Sequence, residues 1–351
     1  MAPTRINTAL LKWYDQFGRA TLPWRKKITP YRVWLSEIML QQTQVATVIP
    51  YFERFIQYFP TLNQLAEADL DKVLHLWAGL GYYSRARNLY KTAQLIKEKF
   101  NGKFPDNLPQ LLELPGIGRS TAGAILAIAF NKPFGILDGN VKRVLTRLYA
   151  ISGWPGHSAT TNLLWRLSEE LVSKYRPADY TQAIMDLGAT LCTKKAPQCT
   201  ICPLSEMCTA YKQQQVADYP APKPKRNKPI KYSHFIIYIN PQDEIFLEQR
   251  PQLGIWGGLW SLPEYNAEEI GSLAYFSRSR YGLEIIAKHR DLPSFRHTFS
   301  HYHLDIFPTI IKVQPKNTIM ESQPIIWYNY KQEIGLPAPI KKLLKQVEDI
   351  L

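Results

Sequence analysis

The chain has 351 residues, 45% of them hydrophobic and 12% aromatic, with a net charge of +14 and a pI near 9.5. That length exceeds what one core usually supports and predicts two or more domains, while the apolar content excludes wholesale disorder and no apolar run is long enough to span a bilayer. The positive balance favours a polyanionic partner; the amino-terminal pattern, interrupted by Lys12 and Asp15, lacks a signal-peptide layout and points to a cytoplasmic protein.

Residues 1–212 read as helix after helix, with boundaries at Thr29-Pro30, Pro60-Thr61, Pro105-Asp106 and Arg176-Pro177, where proline occupies a first turn or stands just beyond a helix end. One helix is expected from Pro30 to about Val48, its apolar stripe made by Val33, Trp34, Ile38, Val45 and Val48, with Glu37 and Gln41 on the same face. An acid on an apolar face loses hydration, its pKa rises, and it stays protonated near neutral pH, as a general acid must. A purely structural Glu paired with an Arg gives the same pattern.

The stretch Leu114-Pro115-Gly116-Ile117-Gly118-Arg119-Ser120 is a tight turn between two helical patterns. Gly116 and Gly118 leave backbone N–H groups bare at the start of the second helix, a grip suited to phosphate. That helix, Ser120 to Phe130, is rich in Ala and Gly, so another backbone can approach it closely. The apolar run ending at Leu137 delivers Asp138, then Gly139 and a helix carrying Val141, Val144, Leu145 and Leu148 at helical spacing. Just before that helix, Asp138 is expected to be ionised, favoured by N–H groups and the helix dipole. One carboxyl kept protonated and another kept charged is the pairing that breaks a glycosidic bond through an oxocarbenium-like state.

Cys192, Cys199, Cys202 and Cys208 follow the spacing C-x6-C-x2-C-x5-C, which excludes a disulfide framework spread over the fold and fits a closed four-thiolate metal site. Zinc also accepts four sulfurs, but its ribbons usually pair two short knuckles and only one C-x2-C occurs here. Residues 213–231 form a stiff, basic, proline-rich linker. Beyond it, residues 232–351 read as a mixed α+β domain, with strands at Phe235 to Ile239, Ile245 to Leu247 and Tyr302 to Phe307, and helices at Ala267 to Tyr281 and Ala338 to Leu351.

Taken together, LPGIGRS at 114–120, LDGNVKRVL at 137–145, SEIMLQQTQV at 36–45, GLGYYSRARNL at 79–89 and the cysteine spacing resemble the MutY family of adenine DNA glycosylases, in the helix-hairpin-helix, Gly/Pro-loop, Asp superfamily. The resemblance covers essentially the whole chain. It implies a mainly α catalytic region with an iron-sulfur module, and removal of adenine mispaired with 8-oxoguanine or guanine in double-stranded DNA. In that scheme Glu37 protonates the adenine at N7, ionised Asp138 stabilises the sugar cation, and Asn140 supports the sugar and its water. The resemblance also implies that the four cysteines hold a [4Fe-4S] cluster. Ser120 stands where bifunctional relatives carry a lysine nucleophile, so the enzyme is expected to be monofunctional and to leave an abasic site.

The same resemblance makes Gln42, Leu80 and Tyr82 a wedge that fills the vacated stack, and Trp24 and Arg25, with Gln41, part of the adenine pocket. Arg85, Arg87, Lys142 and Arg143 become DNA contacts. The C-terminal domain resembles a Nudix fold with an incomplete box: Gly258-x5-Glu264 is present, but Ser272 and Leu273 stand where the metal-binding Arg-Glu should begin. It is therefore expected to read the lesion rather than hydrolyse pyrophosphate, with Phe299, Ser300 and His301 as the loop that recognises 8-oxoguanine. A metal site from His297, His301 and His303 is the weaker reading of that segment, a strand with a polar face the stronger one. A monomer is expected. Two alternatives remain: an endonuclease III-like pyrimidine glycosylase with lyase activity, and a non-catalytic lesion reader.

Overall fold

A computed structural model describes residues 3–224, 227–266, 272–316 and 324–350. The chain divides into two compact units, Met1–Glu67 with Asn88–Lys225, and Ala68–Arg87 with Arg226–Leu351. Helices follow in the order α1 (Pro3–Phe17), α2 (Pro30–Leu40), α3 (Val45–Tyr58), α4 (Leu62–Ala66), α5 (Leu70–Trp77), α6 (Ser84–Phe100), α7 (Leu108–Leu112), α8 (Arg119–Phe130), α9 (Gly139–Leu148), α10 (Ser158–Leu171), α11 (Pro177–Thr190) and α12 (Thr209–Lys212). Of these, α5 and the first turn of α6 belong to the second unit. The segment carrying Leu80, Tyr82, Arg85 and Arg87 therefore groups with the sheet-bearing unit.

Helix starts follow their caps. Thr29 caps α2 through the Arg32 amide, Thr61 forms a reciprocal capping box with Gln64, Asn107 caps α7, and Pro30 and Pro177 occupy first turns. The single helix expected from Pro30 to Val48 is two helices. Gln42 adopts a left-handed φ of 57°, which ends α2, and α3 restarts at Val45 with its own buried stripe of Val48, Phe52 and Phe55.

Close backbone approach sets the centre of this unit. A Cβ on Gly123 of α8 would stand 2.4 Å from the Gly135 carbonyl oxygen, so the chain returning from α8 lies directly on it. The Leu137 amide donates to Ser120 Oγ at 3.0 Å, fixing the residue before Asp138. From the other side α11 reaches α9 at Gly188, where a Cβ would meet Asn140 Cβ at 2.6 Å and Asn140 O at 3.1 Å. Val141, Val144, Leu145 and Leu148 bury beside Ala183, Ile184 and Leu187 of α11 and Ile6 and Leu10 of α1.

The second unit is built on a mixed sheet of β1 (Ile230–Ile239), β2 (Ile245–Gln249), β3 (Trp260–Ser261), β4 (Glu264–Tyr265), β5 (Leu283–Asp291), β6 (Phe295–Thr298), β7 (His303–Pro315) and β8 (Ile325–Tyr328). The main order is β3-β2-β1-β7-β5, with β1 and β7 parallel; β4 pairs with β1, β6 with β7 and β8 with β2. Alternation along β1 sends Phe235, Ile237 and Ile239 to one face, against Ile340, Leu343 and Val347 of α14 (Ala338–Glu348). Ile236 and Tyr238 face the other way, onto Phe276 and Tyr281 of α13 (Leu273–Tyr281). The expected strands and C-terminal helix are present; residues 267–271 of the helix expected from Ala267, and Leu351, lie outside the described residues.

The contact at Gly188 yields a prediction. Gly188→Ala forces a methyl group into Asn140, so urea denaturation should show a loss of about 1–3 kcal/mol, the usual cost of overpacking.

Candidate active site and cysteine centre

A cavity of about 860 Å³ opens in the first unit, and it is lined by Trp24, Arg25, Glu37, Gln41, Gln42, Ser120, Asp138, Asn140 and Arg143. These residues come from the α1–α2 loop, α2, the α2–α3 break, the start of α8 and the start of α9. The break at Gln42 is what turns Gln41 to Val45 into cavity wall. Trp24 is buried with its ring edge-to-face on Phe52 at 5.4 Å, and Gln41 Nε2 donates to Thr121 Oγ1 at 3.4 Å.

Glu37 keeps contact with the cavity but is otherwise enclosed by protein. Burial pushes its carboxyl up to about 7, the charge of Asp138 adds to the rise, and Arg25 opposes it. Asp138 caps α9: the Val141 amide donates to Oδ1 at 2.7 Å and Asn140 Nδ2 donates to Oδ2 at 3.0 Å. These bonds favour the carboxylate, as the sequence position implied. Burial outweighs them, and the net shift is upward rather than downward. An ionised Asp138 is one of the causes that raise Glu37, so its charge helps keep Glu37 protonated.

Two residues absent from the sequence reading shape the same wall. Asp186 of α11 is fully buried and takes two bonds from the Arg25 guanidinium, at 2.7 and 2.8 Å, and two from Arg19, through its backbone amide at 2.9 Å and Nε at 2.8 Å. Desolvation raises its pKa, but these partners win and the net shift is downward. Gln182, one helical turn earlier, is buried and lines the cavity, its Oε1 accepting from Tyr14 at 3.3 Å. Both lie on the buried face of α11 with Ala183 and Leu187, the same signal that marked Glu37.

Several expected DNA contacts face inward. Arg143 donates to Asn140 Oδ1 at 2.8 Å, Gly188 O at 2.6 Å and Cys192 O at 2.7 Å, so its guanidinium ties α9 to α11 and the cysteine loop. Arg85 is buried, donates to Leu80 O at 3.0 Å and Gly81 O at 3.2 Å, and lies over the Trp77 and Tyr82 rings; burial pushes its pKa down to about 10. It braces its own loop. Leu80 is buried too, which removes its side chain from an exposed wedge, whereas Tyr82 is 47% exposed at a left-handed φ of 46°. Arg87 is half-buried and donates to Gly257 O. Lys142 remains half-exposed on α9.

In the hairpin, Gly116 takes φ +78°, a Cβ at Gly118 would meet nothing within 4 Å, and no side chain caps α8. That end is open to a ligand. The β6–β7 hairpin carries residues 299–302, closed by the Phe299 amide donating to Tyr302 O at 2.9 Å; Ser300 and His301 are exposed. His297 is paired with Leu304 and Thr298 with His303, so strand alternation puts His297 and His303 on opposite faces. Among the described residues no three His, Cys, Asp or Glu side chains gather for a single metal ion.

The four cysteines line a separate cavity of about 30 Å³ with Arg147. A bond from the Gln198 amide to Leu191 O at 2.9 Å closes the first loop, and short 3-10 turns at Cys199–Ile201 and Ser205–Met207 aim the remaining thiols. Arg147 is buried and donates to Thr193 O at 2.7 Å, Tyr219 O at 2.9 Å and Cys192 Sγ at 3.4 Å. Burial pushes the Cys202 thiol up to about 12.

Helical fold, open hairpin and paired acids define a class: the HhH-GPD superfamily of base excision DNA repair proteins, whose family model matches residues 35–170, while a NUDIX domain model matches residues 234–346. A solved thermostable thymine-DNA glycosylase aligns with a TM-score of 0.53 at 25% identity, over 60% of this chain and 97% of that one. The adenine DNA glycosylase of Buchnera aphidicola subsp. Schizaphis graminum is 42% identical over 339 residues, 96% of each chain, and the Homo sapiens one is 38% identical over 86% of this chain and 66% of its own. The chain belongs to the adenine DNA glycosylase family. Among the described residues, no helix is long and apolar enough to cross a membrane.

The raised pKa of Glu37 has a thermodynamic consequence. The folded state binds this proton more tightly than the unfolded chain, so the group's contribution to stability is full below its ordinary 4.5 and is lost as pH rises through about 7. At pH 8 Glu37→Gln should be more stable than the parent by up to about 3 kcal/mol, the gap shrinking towards pH 4.5; urea denaturation across that range measures it.

Proposed function

We propose that this protein excises adenine standing opposite 8-oxoguanine or guanine in duplex DNA, hydrolysing the N-glycosidic bond and leaving an abasic site. The observation that carries the reading is the pair Glu37 and Asp138 on one cavity, the first protonated up to about pH 7. A base on this cavity must be flipped out of the duplex. Glu37 delivers its proton to adenine N7; the C1′–N9 bond breaks with its electron pair going to the base, which leaves neutral. Asp138, ionised, faces the positive charge left on the sugar, and Asn140, bonded to Asp138, holds the sugar and the water that adds to C1′. Trp24 offers an apolar wall and Gln182 an amide for the base edge.

Ser120 accepts the Leu137 amide and has no amine to attack the sugar, which supports a monofunctional enzyme. The open amides around Gly118 suit a DNA phosphate. Tyr82, exposed on its tight loop, and Gln42, left-handed at the cavity wall, suit the vacated stack, while Ser300 and His301 read the base opposite the adenine. Ser300 can accept from the N7–H that distinguishes 8-oxoguanine from guanine. Cys192, Cys199, Cys202 and Cys208 would hold a [4Fe-4S] cluster: the four thiols line one small cavity, and four thiolates are the ligand set of such a cluster. When bound, the cluster crosslinks the loops between residues 192 and 208. Lys194, in the first of these loops, reaches the wall of the active-site cavity. The protein is proposed to act as a cytoplasmic monomer.

The test uses duplexes with adenine opposite 8-oxoguanine, assayed in single turnover with and without alkali. Alkali-dependent nicks are expected, with a rate that falls above pH 7 and drops by about 10² to 10⁴-fold in Glu37→Gln. Nicks without alkali would mean lyase chemistry, and no nicks at all would leave only a lesion reader.

A further inference from the structure

The incomplete Nudix box retains Gly258 and Glu264 although the metal-binding residues that should follow are missing. Glu264 is far from idle. Its Oε1 pairs with the Arg250 guanidinium, and Ser233 Oγ donates to Oε2 at 2.9 Å. Arg250 in turn donates through Nε to Ile255 O at 3.1 Å and lies 5.8 Å from the centre of the Trp256 ring.

Trp256 has a left-handed φ of 57°, a conformation that a bulky residue adopts only where its surroundings enforce it. The enforcement is visible: the Gly258 amide donates to Arg250 O at 3.1 Å, and a Cβ on Gly257 would stand 2.3 Å from Gln252 O. The result is that the indole faces Phe299 at 5.4 Å and His297 at 5.9 Å. Phe299 also meets His297 at 4.7 Å and Tyr302 at 4.6 Å. The strained turn thus spends its geometry on one loop. Phe299 is held by rings on three sides, while Ser300 and His301, next in sequence, are exposed.

We propose that the residual box has become a brace, in which Glu264 fixes Arg250, Arg250 fixes Trp256, and Trp256 fixes Phe299, so that Ser300 and His301 are held ready to read the base opposite the adenine. Glu264, Arg250 and Trp256 are positioning residues for specificity and touch no reacting atom. The inference rests on the reading of residues 299–301 as the lesion-reading loop. Its physical basis is preorganisation: hydrogen-bonding groups discriminate two bases that differ at one edge only if their own loop is ordered beforehand.

The experiment compares single-turnover adenine excision opposite 8-oxoguanine and opposite guanine for the full-length parent, Glu264→Gln, Trp256→Ala, Trp256→Phe and the double variant Ser300→Ala with His301→Ala. The ratio of the two rates is the readout. Glu264→Gln and Trp256→Ala are expected to lower the ratio by about tenfold, with the rate opposite guanine within about twofold of the parent. Trp256→Phe, which keeps a ring against Phe299, should restore most of the ratio. A parent-like ratio in both Glu264→Gln and Trp256→Ala, with the double variant still lowered, would overturn the brace and leave the reading loop standing. A parent-like ratio in the double variant would instead overturn the loop itself. Should Trp256→Ala fail to fold, Glu264→Gln decides alone.

Discussion

Two largely enclosed carboxyls facing one cavity cannot both carry charge cheaply, and this constraint governs the site in the first unit. Burial alone would raise both Glu37 and Asp138. Only Asp138 receives compensating donors, because it caps α9 and has Asn140 beside it. Glu37 lies on a helix side whose amides are already used within the helix, and its one charged counterweight, Arg25, is committed to Asp186. Backbone geometry thus gives the two acids different surroundings, and the proposed division of roles between them rests on that difference.

The backbone around Asp138 is correspondingly over-determined. Ser120 holds Leu137 from one side, Gly188 admits Asn140 at contact distance from the other, and Arg143 joins Asn140 to the carbonyl of Cys192. A continuous run of hydrogen bonds therefore leads from the Asp138 carboxylate through Asn140 and Arg143 to the first cysteine. The net positive charge does not translate simply into a DNA-binding surface: Arg25, Arg85, Arg143 and Arg147 serve the interior.

The second unit puts part of a Nudix-like box to structural use. A Nudix-like sheet keeps the glycine turn and one glutamate of its box, yet the glutamate is paired with Arg250 instead of waiting for a metal. Residues 68–87 belong to this unit, with Asp71 accepting from Trp260 Nε1 at 3.2 Å and the Tyr83 hydroxyl donating to Leu336 O at 3.0 Å. Composition gave no hint of that grouping, since the segment reads as two more amphipathic pieces of the helical region and its partners come from the other end of the chain.

The sequence by itself determined the local elements: helices that start at Thr29, Thr61 and Asn107, the glycine hairpin at 116–118, the alternating strands of the C-terminal region, the four spaced cysteines, and the two acids. Each depends on interactions within a few residues, such as a cap, a period or a φ that only certain residues adopt easily. The tertiary structure decided everything that depends on partners far along the chain. It split the helix expected from Pro30 to Val48, turned Leu80 and Arg85 inward, and added Gln182 and Asp186 to the site. Glu37 and Asp186 make the reason plain. Both are acids on buried helical faces and both are raised by desolvation, yet one ends above its ordinary pKa and the other below it. The difference is two arginines more than 160 residues away in sequence, and no local pattern encodes that pairing.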